Sequence, residues 1–174
     1  MVDCVVYARA VIPIATDQAA RRTPVATICL IAANALFRPG PMDLIPDYNK
    51  RKHGDQDVPK VHEIVDRFTA ETYGVMVYQE QVMQIVHELG GIPLRSAYSL
   101  IKAISKKKVD EINKVREQFV KGSAEKGLTT AKAEELFELI LKFAGYGFNK
   151  SHSTGYALIA YQTAYLKTYF PAHY

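Results

Sequence analysis

Apolar positions recur at helical spacing along most of the chain, and nowhere do they alternate as in a half-buried strand. The cleanest case is Ala133, Leu136, Phe137, Ile140, Leu141 and Ala144 at i, i+3, i+4, i+7, i+8 and i+11, one face of an amphipathic helix. Val82, Ile85, Val86 and Leu89 repeat that spacing over two turns and predict a second helix, stopped by Gly90-Gly91. Val109, Ile112, Val115 and Phe119 mark the stripe of a long helix ended by Gly127. A buried helix is expected over residues 25–36 and a short one over 61–68. Ser96 is expected to cap another, running to Ile104. A last helix should run from beyond His152 to about Tyr169, ahead of Pro171. Tyr161, Tyr165 and Tyr169 share one of its faces, read as a core face with wet hydroxyls rather than a stacking platform. The pattern predicts a mainly α fold.

Between these helices lie the segments that carry candidate chemistry. Residues 1–25 have no clear period, contain Pro13 and Pro24, and receive no function. Arg38-Pro39-Gly40-Pro41 forces a stiff turn: either a rigid connector, or a mount for Arg38 as a fixed cation beside a groove. Asp47-Tyr48-Asn49-Lys50-Arg51-Lys52-His53-Gly54 is a short basic run, either solvated surface or a phosphate contact through Arg51, Lys52 and His53. Asp55 and Asp57 lie between Gly54 and Pro59 with no apolar strand around them, so they are read as a solvated loop and not as a metal grip. Tyr78-Gln79-Glu80-Gln81 opens a helix, and solvent exposure explains its four polar tips. Tyr78, Gln79 and Gln81 also stand as candidates to line a groove for bases or sugars. His87-Glu88 is half of a zinc-protease motif without the second histidine, and that chemistry is rejected.

Two segments draw more attention. Lys102 lies one helical turn before Ser105-Lys106-Lys107-Lys108, which makes a compact cationic cluster. Adjacent lysines repel one another, so folding gains nothing from them, whereas a polyanion would relieve the repulsion. A solvated helix end, where lysines suit the dipole, is the plainer reading. Gly145-Tyr146-Gly147-Phe148-Asn149-Lys150-Ser151-His152-Ser153 leads from one helix into the next. Its exposed amides, Asn149, Lys150, Ser151 and His152 suit a phosphate or other oxyanion. A glycine C-cap followed by a serine N-cap is the reading that local chemistry alone favours.

The 174 residues fit one domain with a real core, at 48% hydrophobic and 23% charged, and the net charge of +4 matters less than its clustering. Cys4 and Cys29 form no CxxC pair and are expected to be reduced thiols. The apolar run over residues 24–37 is too short to span a bilayer and contains Asn34. Asp3 stands where an export signal would carry positive charge. A soluble, cytoplasmic chain is expected.

Taken together, Ala35-Leu36-Phe37-Arg38-Pro39-Gly40-Pro41-Met42, Arg51-Lys52-His53-Gly54 and Glu71-Thr72-Tyr73-Gly74-Val75-Met76-Val77-Tyr78-Gln79-Glu80-Gln81-Val82-Met83-Gln84-Ile85 resemble the C-family bacterial replicative DNA polymerases. This is the family of the DNA polymerase III alpha subunit. Lys106-Lys107-Lys108 and Lys142-Phe143-Ala144-Gly145-Tyr146-Gly147-Phe148-Asn149-Lys150-Ser151-His152-Ser153 extend the likeness, which covers roughly Ile28 to the C-terminus. The resemblance implies the helical fingers region over residues 26–174, a fragment continuing beyond residue 174 and lacking the β-rich palm. It implies dNTP and phosphate contacts from Lys102, Lys106, Lys107, Lys108, Asn149, Lys150, Ser151 and His152, with Arg38, Arg51, Lys52, His53, Tyr78, Gln79 and Gln81 as nucleic-acid or groove contacts.

The same resemblance implies DNA template-primer, dNTP, palm, thumb, sliding clamp and other replisome subunits as partners. Magnesium would be held by palm aspartates that have no counterpart here, so no catalytic or metal-binding residue is assigned and the chain alone is expected to be inactive. Where the family usually carries an arginine pair and a glycine before its lysines, this chain has Leu100-Ile101-Lys102-Ala103-Ile104-Ser105, and a point charge replaces a bidentate fork. The alternative is a stand-alone helical nucleic-acid-binding module without catalysis.

Overall fold

The computed structural model describes residues 23–38 and 40–174. Asp3, Cys4, Pro13 and Pro39, with most of the unassigned segment 1–25, lie outside the described residues. Among the described residues the chain forms eight α-helices: α1 (Thr23–Leu36), α2 (Ile45–His53), α3 (Glu63–Thr69), α4 (Gln79–Glu88), α5 (Leu94–Ser105), α6 (Val109–Glu125), α7 (Thr130–Ala144) and α8 (Lys150–Tyr169). Short 3₁₀ turns occupy Pro41–Leu44 and Ala70–Thr72. No strand forms among the described residues, and the one β pairing there is an isolated parallel bridge between Tyr78 and Phe148. No helix is long and apolar enough to cross a membrane.

The chain divides into two units, Arg38–Asn149 and a second in which Met1–Phe37 join Lys150–Tyr174. In Arg38–Asn149, α4 packs on α5, α5 on α6 and α6 on α7, with α3 against α4. The period-3.6 positions of α4 and α7 go inside as expected: Ile85, Val86, Leu89, Ala133, Phe137 and Ile140 have no exposed surface. Phe119 and Phe137 face each other with ring centroids 5.4 Å apart. Full burial of each such side chain is worth about 1.5–3 kcal/mol relative to exposure. The α6 stripe is buried only toward its C-terminal half, since Phe119 is 0% exposed and Val109 63%.

Glycine lets α6 come that close. A Cβ on Gly122 would stand 2.2 Å from the Gly90 carbonyl oxygen, and one on Gly90 would stand 2.6 Å from the Phe119 ring.

Two local expectations change. Ser96 does not cap α5: the helix starts at Leu94 after Pro93, and Ser96 lies in its first turn with its amide donating to the Pro93 carbonyl. The basic run at Lys50 to His53 is the last turn of a helix, α2, closed by Gly54 in the left-handed conformation at φ 82°. Lys50, Arg51 and Lys52 there complement the carbonyl end of the dipole. α3 is capped by His62, whose Nδ1 accepts from the Ile64 amide at 3.2 Å.

In the other unit α1 lies along α8. The Ser153 hydroxyl donates to the Ile31 carbonyl at 2.6 Å and accepts from the Asn34 amide at 3.2 Å. Only Ser153 and Ala157 of α8 are buried. Tyr161, Tyr165 and Tyr169 are exposed, contrary to the core reading: they continue the i, i+4 series of Ser153 and Ala157, but burial on α8 is confined to those two positions near its start. Cys29 is a free thiol.

Gly122→Ala should destabilise the chain by about 1–3 kcal/mol, since backbone cannot yield as a side-chain tip can. Gly155→Ala, mid-helix with nothing within 4 Å of the added Cβ, should stabilise by about 0.5–1 kcal/mol. Urea titration followed by circular dichroism checks both.

Candidate functional site

The lysine turn closes α5. The Lys107 amide donates to the Ile104 carbonyl at 3.0 Å and the Lys108 amide to Ala103 at 2.9 Å, the paired bonds of a Schellman motif. Lys107 takes the left-handed position at φ 54°. The four cations are not equivalent. Lys102 Nζ stands 4.5 Å from the Tyr98 ring centroid, and Lys108 Nζ is 2.6 Å from Glu111 Oε1. Lys106 and Lys107 are exposed, and no ion pair engages either among the described residues.

The glycine turn is not an open cradle. Gly145 has ordinary right-handed dihedrals, φ −64° and ψ −23°. Beyond it the Phe148 amide donates to Val77 O at 3.3 Å, and Phe148 O accepts from the Gln79 amide at 3.0 Å. A Cβ on Gly147 would lie 3.3 Å from Gln79 Cα, so the two strands of backbone touch there. Arg38 donates to the Tyr146 carbonyl and lies over the Phe148 ring, 4.6 Å from its centroid. The Asn149 side chain donates to Glu80 Oε1 at 3.0 Å. Asn149 therefore helps fasten this turn to the start of α4 while Arg38 holds the turn from the segment before Pro41, and a carboxylate stands beside the amide expected to meet phosphate.

The polar start of α4 is not explained by exposure. Tyr78 is 2% exposed and Gln81 5%. Gln81 Oε1 accepts from the Val77 and Tyr78 amides at 2.8 and 2.9 Å, while its Nε2 donates to Thr72 Oγ1 at 2.8 Å and Phe68 O at 3.1 Å. Both ends are committed, so Gln81 holds backbone rather than lining a groove. Gln79 is half-buried, with Nε2 3.5 Å from Glu80 Oε1. Thr72 and Glu80 were not singled out by sequence reading. The available signal was a glutamine at the third helical position after three buried apolar residues.

Arg51 is likewise occupied, donating to Tyr73 O at 3.4 Å with Asp47 3.8 Å away, while Lys52 is half-buried and His53 exposed at the end of α2. Lys150, Ser151 and His152 form the first turn of α8 in the other unit. Ser151 and His152 are exposed, and the His152 ring meets Tyr156 edge-on at 4.8 Å. Lys106 and Lys150 thus belong to different units. Among the described residues no group of three or more His, Cys, Asp or Glu is placed to hold a metal ion. Asp55 and Asp57 are exposed in a loop, and His87 Nδ1 lies 2.7 Å from Ile92 O.

Residues 15–127 match the model of the bacterial DNA polymerase III alpha subunit finger domain, beginning inside the segment 1–25 that sequence reading left unassigned. The chain is 51% identical over 145 residues to the DNA polymerase III subunit alpha of Xylella fastidiosa, 49% over 147 residues to that of Campylobacter jejuni and 44% over 150 to that of Thermus aquaticus. Each alignment covers 83% of this chain and 12% of the relative, so the chain spans about one eighth of their length.

Gln81→Ala should cost about 2–4 kcal/mol, because two buried amides lose their acceptor together. Gln79→Ala, on the half-buried neighbour, should cost less than about 1 kcal/mol. Chemical denaturation of both variants tests this, and equal losses would remove the structural role given to Gln81.

Proposed function

The chain belongs to the finger-domain family of the bacterial DNA polymerase III alpha subunit, and from that membership we propose that it serves a replicative DNA-directed DNA polymerase by positioning the triphosphate of an incoming dNTP against template-primer. In nucleotidyl transfer the primer 3′-hydroxyl attacks the α-phosphate and pyrophosphate leaves. Charge gathers on the departing phosphates, and fixed cations stabilise it. The observation that carries the reading is the lysine turn. It presents exposed ammonium groups on the end of a helix whose other face is locked in the core.

Magnesium belongs, in this proposal, to palm carboxylates outside the chain. Lys150, Ser151 and His152, in the first turn of α8, are further candidates for phosphate contact. Arg38, Arg51, Gln81 and Asn149 act as supports rather than direct contacts. The exposed apolar side chains of α8, among them Leu158, Ile159 and Leu166, suit burial against palm or thumb polypeptide. Template-primer, clamp and further replisome subunits are the remaining partners, in the cytoplasm.

The purified 174-residue chain should show no primer extension with magnesium and dNTPs; robust synthesis would overturn the assignment of chemistry to other polypeptide. In binding titrations it should prefer dNTP over equal-charge pyrophosphate and over single strands. Steeply salt-dependent strand binding that ignores dNTP would favour a plain nucleic-acid-binding module instead.

A further inference from the structure

We propose that the two places where the chain passes between its units work as a single hinge, and that Arg38 is the residue that pins it. The inference stands apart from the nucleotide reading, and neither depends on the other. Two sets of contacts, one inside each unit, lead there.

Within Arg38–Asn149 the entering and leaving strands lie against each other. Arg38, the first residue of that unit, donates to the Tyr146 carbonyl and covers the Phe148 ring, 4.6 Å from its centroid. Gly40, at φ 98°, leaves no room for a side chain, since a Cβ there would stand 2.9 Å from the Tyr146 ring. Phe148 is bonded through its backbone to Val77 and Gln79, and Asn149 through its side chain to Glu80. The leaving strand is thus held as far as the last residue of the unit.

The other unit holds the same two strands just beyond the crossings. The Phe37 amide donates to the Ala33 carbonyl at 2.9 Å, which carries the α1 ladder to the residue before Arg38. On α8 the Lys150 carbonyl accepts from the Thr154 hydroxyl at 2.8 Å, and Ser153 ties the helix to Ile31 and Asn34 of α1. At each crossing, then, the bonding passes from one unit to the other between neighbours, Phe37 to Arg38 and Asn149 to Lys150. Hinges consist of a few element-terminal residues that absorb a change in φ and ψ while the bodies on either side stay intact. Because Arg38 and Gly40 keep the two strands together, the chain can bend about one line, and each strand limits twisting of the other.

The test uses the full 174-residue chain with Cys4→Ala and Cys29→Ala, spin labels on introduced cysteines, and pulsed electron paramagnetic resonance to read distances. Labels on Ser99→Cys in α5 and Gln162→Cys in α8 report across the hinge, and labels on Ser99→Cys and Glu135→Cys report within one unit; all three positions are exposed. The distribution across the hinge should be wider than the one within the unit. Arg38→Ala should widen the first further and leave the second as it was. Arg38→Lys, which keeps a cation beside Phe148, should restore most of the parent width. Amide exchange gives a second readout: Arg38→Ala should speed exchange at Phe148 about ten-fold, as expected for losing one charged hydrogen bond. The inference fails if the parent distribution across the hinge is as narrow as the one within the unit, or if Arg38→Ala leaves it unchanged. It fails equally if Arg38→Ala widens both alike, which would make Arg38 a general structural residue.

Discussion

Four residues of non-helical chain, Val75, Met76, Val77 and Tyr78, run buried through a helical unit, and their backbone must find partners away from water. Helices satisfy their own amides; a buried extended segment cannot. Here the partners come from three directions. Gln81 reaches back from α4 to take two amides, Thr72 donates to the Val75 carbonyl at 2.6 Å, and Phe148 arrives from far along the chain to pair with Val77 and Gln79. Leaving any one of these groups orphaned would cost about 1–3 kcal/mol. The requirement fixes where α4 starts, and it fixes where the chain must pass on leaving α7.

That constraint redistributes the chemistry. A glycine-rich turn between two helices has the composition of an anion site, yet within Arg38–Asn149 its polar groups are consumed by the buried segment and its surroundings. Phe148 gives both backbone groups, Asn149 meets Glu80, and Arg38 is drawn onto Tyr146 and Phe148. A carboxylate 3.0 Å from Asn149 is poor company for phosphate. On the lysine turn, where α5 ends, Lys106 and Lys107 stay exposed and no buried backbone competes for them. The structural anchor and the charged surface occupy separate turns of the unit.

The fold was legible wherever a helix presents a single apolar face, and illegible where tertiary contacts set the local structure. α4 and α7 follow their period closely because each buries one stripe against neighbouring helices. α2 could not be read that way. Its Asp47-to-His53 sequence has hardly any apolar repeat, and the helix shows itself only through the left-handed Gly54 that stops it. The α5 start was misread because Ser96 is an ordinary capping residue, while Pro93 sets the entry two residues earlier. Tyr78 and Gln81 looked like surface because polar tips usually are. Nothing local announces that a distant Phe148 will close over them. The tyrosines of α8 show the converse, since spacing put them on one face but could not say how far along that face burial would run.

Gly147 and Lys107 make the point in opposite senses. Glycine at 147 invites an argument from backbone freedom, but no left-handed dihedral is required there; what the site needs is the missing Cβ, 3.3 Å from Gln79 Cα. Lysine at 107 invites an argument from charge alone, yet it is the residue that bears the dihedral glycine would have relieved. The first position is chosen by packing, and any side chain would push α7 away from α4. The second runs against local preference, and its side chain makes no ion pair or ring contact among the described residues. At the first position local preference and global structure agree through packing, and at the second they part.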